Sequence, residues 1–150
     1  MALVELGNFY DLESTFMKAI LKRNERQVEL ILDKITSEIK QAGSLITVLG
    51  LSFKANTDDI RNSASIKLIN LLLEKGYKVN SYDPKAKYSL QNENYLQFDN
   101  LYSSLNKSKC AVIMTEWDDF KNLNLIKISK LMTSNIILDM RNIIDTGEKN

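Results

Sequence analysis

The sequence predicts an α/β fold in which a long helix precedes a three-layer, mostly parallel β-sheet. Short apolar runs typical of buried strands alternate with helical patterns along the chain. Polar and charged residues follow directly after several of these runs, where an α/β sheet places its ligand-binding groups. A helical pattern of about thirty residues comes before the first strand, which is long for a chain of 150 residues.

The long helix is predicted over residues 11–42, and Gly43 and Ser44 supply a stop. Its apolar residues fall on one stripe at helical spacing: Phe16, Ile20, Val28, Leu32, Ile35 and Ile39. Asn24 lies on the same stripe. A polar side chain there either fixes the register of a helix contact or marks a helix end or a bound water. The length of the helix predicts a spine between domains or a dimer seam.

Shorter elements follow the long helix in the order β-α-β-β-α-β-α-β. The predicted strands are residues 45–49, 78–82, 95–98, 110–114 and 135–138, and the predicted helices are residues 63–75, 100–106 and 123–132. This order indicates a Rossmann-like, mostly parallel sheet covered by helices on both faces.

Composition and charge exclude several classes of function. Twenty basic and nineteen acidic residues give a net charge of +1, which argues against a nucleic-acid surface. No apolar run approaches the roughly 18 residues of a membrane span, and no signal-peptide pattern opens the chain. The chain has no histidine and only one cysteine, Cys110, so neither a zinc site nor a histidine-dependent nucleophile is expected. The cysteine content fits a reducing cytoplasm.

The polar residues that follow the strands predict a ligand site. In a parallel sheet the segments after residues 49, 114 and 138 meet at one edge. There the cations Lys54, Arg61 and Arg141 suit a diphosphate or a carboxylate. Phe53 or Trp117 can stack on a flat ring.

Each of these residues also has a plain structural interpretation. Arg61 then pairs with a neighbouring aspartate, and Arg141 forms a surface ion pair. Lys54 is an ordinary loop lysine, and Trp117 belongs to the core. Placement at strand ends is what these residues share, and it supports the site.

Two glycine-rich nucleotide motifs are absent from the sequence. Gly50 stands alone in its turn, so there is neither a Gly-x-Gly-x-x-Gly fingerprint nor a Walker-type loop. A complete NAD site of the Rossmann kind is therefore not expected in this chain. Asp83, which precedes Pro84, either contacts a ribose or forms an Asp-Pro turn, and the turn is favoured.

Residues 50–63 closely resemble the signature G-L-x-F-K-x-x-T-D-D-x-R-x-S of the UDP-glucose/GDP-mannose dehydrogenases, which lies in their C-terminal UDP-binding domain. Residues 115–120 resemble the family's T-E-W-x-x-F segment, and residues 139–142 resemble its D-x-R-N segment. Residues 24–27 look like the N-x-x-Q turn of the family's long central helix. The T-E-W segment favours the UDP-glucose 6-dehydrogenase branch over the GDP-mannose and N-acetylmannosamine branches.

The resemblance implies an enzyme that oxidises the C6 alcohol of UDP-glucose to a carboxylate with two NAD molecules in succession. It implies that NAD is bound mainly by an N-terminal domain, which has no counterpart in this sequence, and that the catalytic cysteine precedes the central helix. Residues 1–44 are then a linking and dimerisation helix, and residues 45–150 are the UDP-binding domain. A homodimer is expected, and the fragment alone is expected to be inactive.

By resemblance, Phe53 and Lys54 contact the nucleotide-sugar, and Arg141 helps to hold it. Arg61 reaches across the domain interface to the NAD. Asn24 lies near the active-site crevice or the dimer seam.

Other residues are expected to serve the structure. Asp58 and Asp59 shape the turn and orient the nearby cations. Cys110 lies inside an apolar strand and is not the nucleophile. No residue of this chain is expected to be catalytic or to bind a metal ion.

The sequence departs from the family pattern at three positions. Ala64 replaces a common proline, Asn62 replaces a frequent glutamate, and Met140 stands where glycine is common. These changes affect the shape of the phosphate turn and leave the binding charges in place. Two alternatives to the UDP-binding fragment are a dimerisation module without ligand affinity and a stand-alone domain for another nucleotide.

Overall fold

The computed structural model describes residues 15–144, and within the first helix it leaves the side chains of residues 15–22 and 24 undescribed. The helices are α1 (Thr15–Glu38), α2 (Ala64–Glu74), α3 (Leu101–Ser104), α4 (Asp118–Lys121) and α5 (Leu125–Leu131). The strands are β1 (Leu45–Leu49), β2 (Lys78–Tyr82), β3 (Tyr95–Phe98), β4 (Cys110–Ile113) and β5 (Ile136–Asp139).

All five strands form one parallel sheet in the order β3-β2-β1-β4-β5. The chain adds β2 and β3 on one side of β1 and then crosses to add β4 and β5 on the other. This reversal places a crevice outside the carboxyl ends of β1 and β4, where open α/β sheets bind ligands.

Helices cover both faces of the sheet, which confirms the predicted three-layer class. Successive side chains of a strand point to opposite faces, so Val48 and Val112 join the core beneath α1 and α2. Their neighbours Leu49 and Ile113 join the core beneath α3, α4 and α5. Each face therefore buries its own apolar layer, as the near-continuous apolar sequences of the central strands β1 and β4 require.

The apolar stripe of α1 is confirmed where its side chains are described. Val28, Leu32, Ile35 and Ile39 are all buried against α2 and the sheet, together with Ile31. Phe16 and Ile20 lie outside the described side chains, as does Asn24. The helix ends at Glu38 rather than at residue 42, because the Ile39 carbonyl accepts a hydrogen bond from the Tyr77 hydroxyl at 2.5 Å and no longer serves a helical N–H.

The other predicted helix boundaries shift for local reasons. The predicted helix 123–132 is shortened to α5, because the Asn124 side chain accepts the N–H of Lys127 and caps a new helix start. The short helix α4 before it was not predicted. β1, β2 and β3 begin and end at the predicted residues.

The buried carboxylate of Asp83, only 3% exposed, organises the carboxyl edge of the sheet. Its Oδ2 atom accepts the N–H groups of Leu51 at 2.7 Å and Ser52 at 3.0 Å, and the Ser52 hydroxyl at 3.0 Å. The indole N–H of Trp117 donates to the same oxygen at 3.2 Å. Oδ1 accepts the N–H groups of residues 85–86 at 2.9 and 2.7 Å. One side chain therefore joins the segments that follow β1, β2 and β4.

Asp83 forms the turn that its Asp-Pro sequence favoured, and its burial leaves no room for the alternative contact with a ribose. Burial tends to raise the pKa of this carboxyl. The four backbone N–H groups that it accepts outweigh burial and hold the pKa below the ordinary value of 3.8.

Gly50 provides the close approach between the segments after β1 and β4. Its φ angle is +89°, and its N–H donates to the Tyr82 carbonyl at 2.8 Å. A Cβ atom at this position would lie 2.5 Å from the Cβ of Thr115 and 2.9 Å from its backbone nitrogen. A side chain cannot be added without moving the backbone.

The substitution Gly50→Ala should lower the free energy of unfolding by roughly 3 kcal/mol, since it combines a left-handed backbone angle with a collision. Urea unfolding of both proteins measures the difference. Gly43→Ala is the matched control, because Gly43 has a φ angle of +77° and nothing within 4 Å of the added Cβ. Equal losses for the two substitutions would contradict the importance of the contact with Thr115.

The substitution Asp83→Asn should cost about 2 kcal/mol of stability at pH 7, because an ionised acceptor of several buried donors is lost. A carboxyl whose folded pKa is lowered stabilises the protein above its ordinary pKa, and this stability is lost as the pH falls through the folded value. The difference in the free energy of unfolding between wild type and Asp83→Asn should therefore become smaller below about pH 4. Urea unfolding at several pH values tests this, and the exposed Asp99→Asn is the control. A difference that does not change with pH would contradict an ionised Asp83.

Candidate functional site

A cleft of about 430 Å³ opens at the carboxyl edge of the sheet, within the size range of small-molecule sites. Its walls come from α1, from the segments that follow β1, β4 and β5, and from the start of α2. The lining residues are Gln27, Val28, Ile31, 52–54, 62–65, Met114, Glu116, Met140 and Arg141. The cleft thus occupies the crevice that the strand order creates.

Phe53 and Lys54 enter the cleft from the turn after β1. The N–H of Phe53 donates to the Asp59 carbonyl at 2.8 Å, so the loop folds back beneath the two residues and holds them outward. The ring of Phe53 is 58% exposed. Lys54 is exposed, and within residues 15–144 it forms no ion pair. Its charge is therefore available to a ligand.

Arg141 enters the cleft from the turn after β5. The Asp139 carboxylate forms this turn by accepting the N–H of Arg141 at 2.9 Å and those of residues 143–144 at 2.7 and 2.8 Å. The Nε of Arg141 donates to the Met114 carbonyl at 2.7 Å and lies 3.4 Å from Oε2 of Glu116. The surface ion pair that the sequence allowed is thus present, inside the cleft.

Arg61 lies beside the cleft in a separate, open depression of about 300 Å³ that shares Phe53 and Asn62 with it. Its Nε and Nη2 atoms donate to the Asp59 carboxylate at 2.9 and 2.7 Å. This hydrogen-bonded pair lowers the pKa of Asp59 to about 2 and raises the pKa of Arg61. The pairing with a neighbouring aspartate, which was the alternative interpretation of Arg61, is present. The structure therefore brings three of the four predicted binding residues into one cleft and places Arg61 next to it.

The start of α2 forms the remaining wall of the cleft. The Ser63 hydroxyl caps the helix by accepting the N–H of Ser65 at 3.2 Å. Asn62 has a φ angle of +56°, a conformation that asparagine adopts far more readily than glutamate. The departure from the family pattern at this position therefore matches its backbone geometry.

Trp117 is 5% exposed, and its indole N–H donates to Ser52 at 3.1 Å as well as to Asp83. The alternative that placed it in the core is confirmed, and the prediction that it could stack on a ligand is wrong. Phe53 is the aromatic ring of the cleft. Sequence reasoning gave no role to Gln27 or Glu116, although both belong to segments that it singled out.

The cleft is lined by the cations Lys54 and Arg141, and the cysteine lies away from it in β4. Burial, with a smaller contribution from Glu38, raises the pKa of the Cys110 thiol to about 12, so the thiol stays protonated and unreactive. Within residues 15–144 no cluster of three or more metal-ligating side chains is present. None of the described helices combines the length and apolar character needed to cross a bilayer.

Comparisons with known proteins identify relatives that match most of this chain. Residues 47–146 match the UDP binding domain of the UDP-glucose/GDP-mannose dehydrogenase family. The UDP-glucose 6-dehydrogenase of Rickettsia bellii is 36% identical over 143 residues, an alignment that covers 91% of this chain and 33% of the relative.

Two solved structures share the fold. The UDP-glucose dehydrogenase of Pyrobaculum islandicum superposes with a TM-score of 0.75 and 25% identity, over 91% of this chain and 34% of that one. The GDP-mannose dehydrogenase of Pseudomonas aeruginosa superposes with a TM-score of 0.73 and 25% identity, over 95% of this chain and 34% of that one. The chain thus spans about a third of the length of these relatives. It belongs to the UDP-glucose/GDP-mannose dehydrogenase family, and residues 47–146 correspond to the family's UDP-binding domain.

Proposed function

We propose that this chain is the C-terminal part of a UDP-glucose 6-dehydrogenase and binds the UDP-sugar whose C6 alcohol is oxidised to a carboxylate with NAD. The observation that carries the proposal is the cleft that joins Lys54 and Arg141 within the family's UDP-binding domain. Lys54 follows β1 and Arg141 follows β5, and β4 lies between these two strands. The two residues reach one cavity because all three strands are parallel and end at the same edge of the sheet.

The cleft has the groups that a uridine diphosphate requires. Lys54 supplies a point charge, and Arg141 supplies a planar guanidinium that can donate two parallel hydrogen bonds to a phosphate. The exposed ring of Phe53 offers a face for the flat uracil base. The neutral walls at the start of α2 and at Gln27 leave these cations as the main attraction for an anion.

The oxidation itself requires groups that the described residues do not provide. We assign the hydride acceptor NAD mainly to an N-terminal domain of the same protein. Arg61 is held by Asp59 outside the cleft with its side chain 85% exposed, which suits a contact with a cofactor on that domain. Residues 1–44 would link the domains and form the homodimer, while residues 45–150 would bind the UDP-sugar. The chain alone would then bind its ligand without turning it over.

Saturating UDP should raise the melting temperature of the 150-residue chain by roughly 5–10 °C at 100 times the dissociation constant, because the ligand binds only the folded state. Lys54→Ala and Arg141→Ala should each reduce the shift at a fixed UDP concentration. Differential scanning fluorimetry measures it.

The control for this measurement is Lys87→Ala. Lys87 is exposed, lies outside the cleft and pairs with Asp99. This variant should respond to UDP like the wild type. GDP at the same concentration tests the choice of base. A melting temperature that UDP does not change, in a chain that light scattering shows to be a dimer, would contradict UDP binding and favour a dimerisation module.

A further inference from the structure

The cleft contains a carboxylate for which the proposed function has no use. Among the described residues that line it, Lys54 and Arg141 are the cations and Glu116 is the acidic residue. A carboxylate inside a site for an anion repels the ligand, so its presence there has an energetic cost. A role in selecting between ligands would account for that cost.

Glu116 is held at its place by the residues on either side. Thr115 is fully buried, and its hydroxyl donates to the Ser52 carbonyl at 2.8 Å. Trp117 is buried on the other side and donates to the Ser52 hydroxyl. The backbone between these two anchors cannot move away from the cleft, and the Glu116 side chain stays 43% exposed in the wall.

Glu116 also faces one edge of the Arg141 guanidinium. Its carboxylate and the Met114 carbonyl both lie at the Nε atom, at 3.4 and 2.7 Å. Among the side chains that the structure describes, which exclude those of residues 15–22 and 24, neither Nη atom of Arg141 has a hydrogen-bond partner. The guanidinium is thus held at its inner edge and offers its outer edge to a phosphate.

We propose that Glu116 determines which diphosphates the cleft accepts, favouring a terminal phosphate that is esterified to a sugar over one that is free. This inference rests on the proposed function. Above the second phosphate pKa of about 6, a free terminal phosphate carries about one more negative charge than an esterified one. The two cations match the two charges of an esterified diphosphate, whereas the additional charge of a free diphosphate is repelled by Glu116.

Isothermal titration calorimetry of the 150-residue chain with UDP and with UDP-glucose at pH 8 tests the proposal. Glu116→Gln keeps the shape and an oxygen that can accept from Nε of Arg141, and it removes only the charge. The ratio of the dissociation constant for UDP to that for UDP-glucose should fall about fivefold in this variant. Asp118→Asn removes the same charge two residues away, outside the cleft, and should leave the ratio unchanged.

Other outcomes overturn the proposal in distinguishable ways. If Glu116→Gln changes both dissociation constants by the same factor, Glu116 only positions Arg141, and the inference fails while the proposed function stands. If Asp118→Asn lowers the ratio as much as Glu116→Gln does, the effect is one of total charge, and the inference again fails. If the wild-type chain binds neither ligand, the proposed function fails and the inference with it.

Discussion

The buried carboxylate of Asp83 is the contact on which the cleft depends. It accepts hydrogen bonds from the segments after β1, β2 and β4, and all of its donors are neutral N–H or O–H groups. The negative charge is therefore compensated by oriented dipoles and not by a cation. Because the protein compensates this carboxylate without lysine or arginine, Asp83 does not compete with a ligand for the positive charges of Lys54 and Arg141.

Aspartates also accept backbone N–H groups at two other turns of the carboxyl edge of the sheet. Asp139 accepts N–H groups of the turn that carries Arg141, and Asp59 accepts the N–H of Arg61 as well as its guanidinium. Asp139 is the last residue of β5, Asp83 follows β2, and Asp59 lies in the loop after β1, where short acidic side chains close turns readily. The aspartates thus fix the backbone positions of Arg61 and Arg141. The two sites differ because Asp59 also binds the guanidinium of Arg61, whereas Asp139 accepts only the backbone N–H of Arg141.

The sequence was most informative where a single local property decides the structure. An apolar run ended by glycine located β1, and the Asp-Pro pair located the end of β2. The parallel arrangement that follows from the order of elements brought Lys54 and Arg141 together. It was least informative where distant contacts decide. The end of α1 depends on Tyr77, and the burial of Trp117 depends on Ser52 and Asp83. The sequence placed the segment of Glu116 at this edge of the sheet, but it could not predict the contact of Glu116 with Arg141, which joins segments that follow different strands.

The cleft is assembled from the first and the last elements that the structure describes. Gln27 belongs to α1 and Arg141 follows β5, with the complete sheet between them. A ligand held between these walls would link α1 to the turn after β5 without a covalent bond. Local unfolding of either segment would then require release of the ligand. Amide hydrogen exchange in α1 and after β5 would then slow together on ligand binding, as a single cooperative unit.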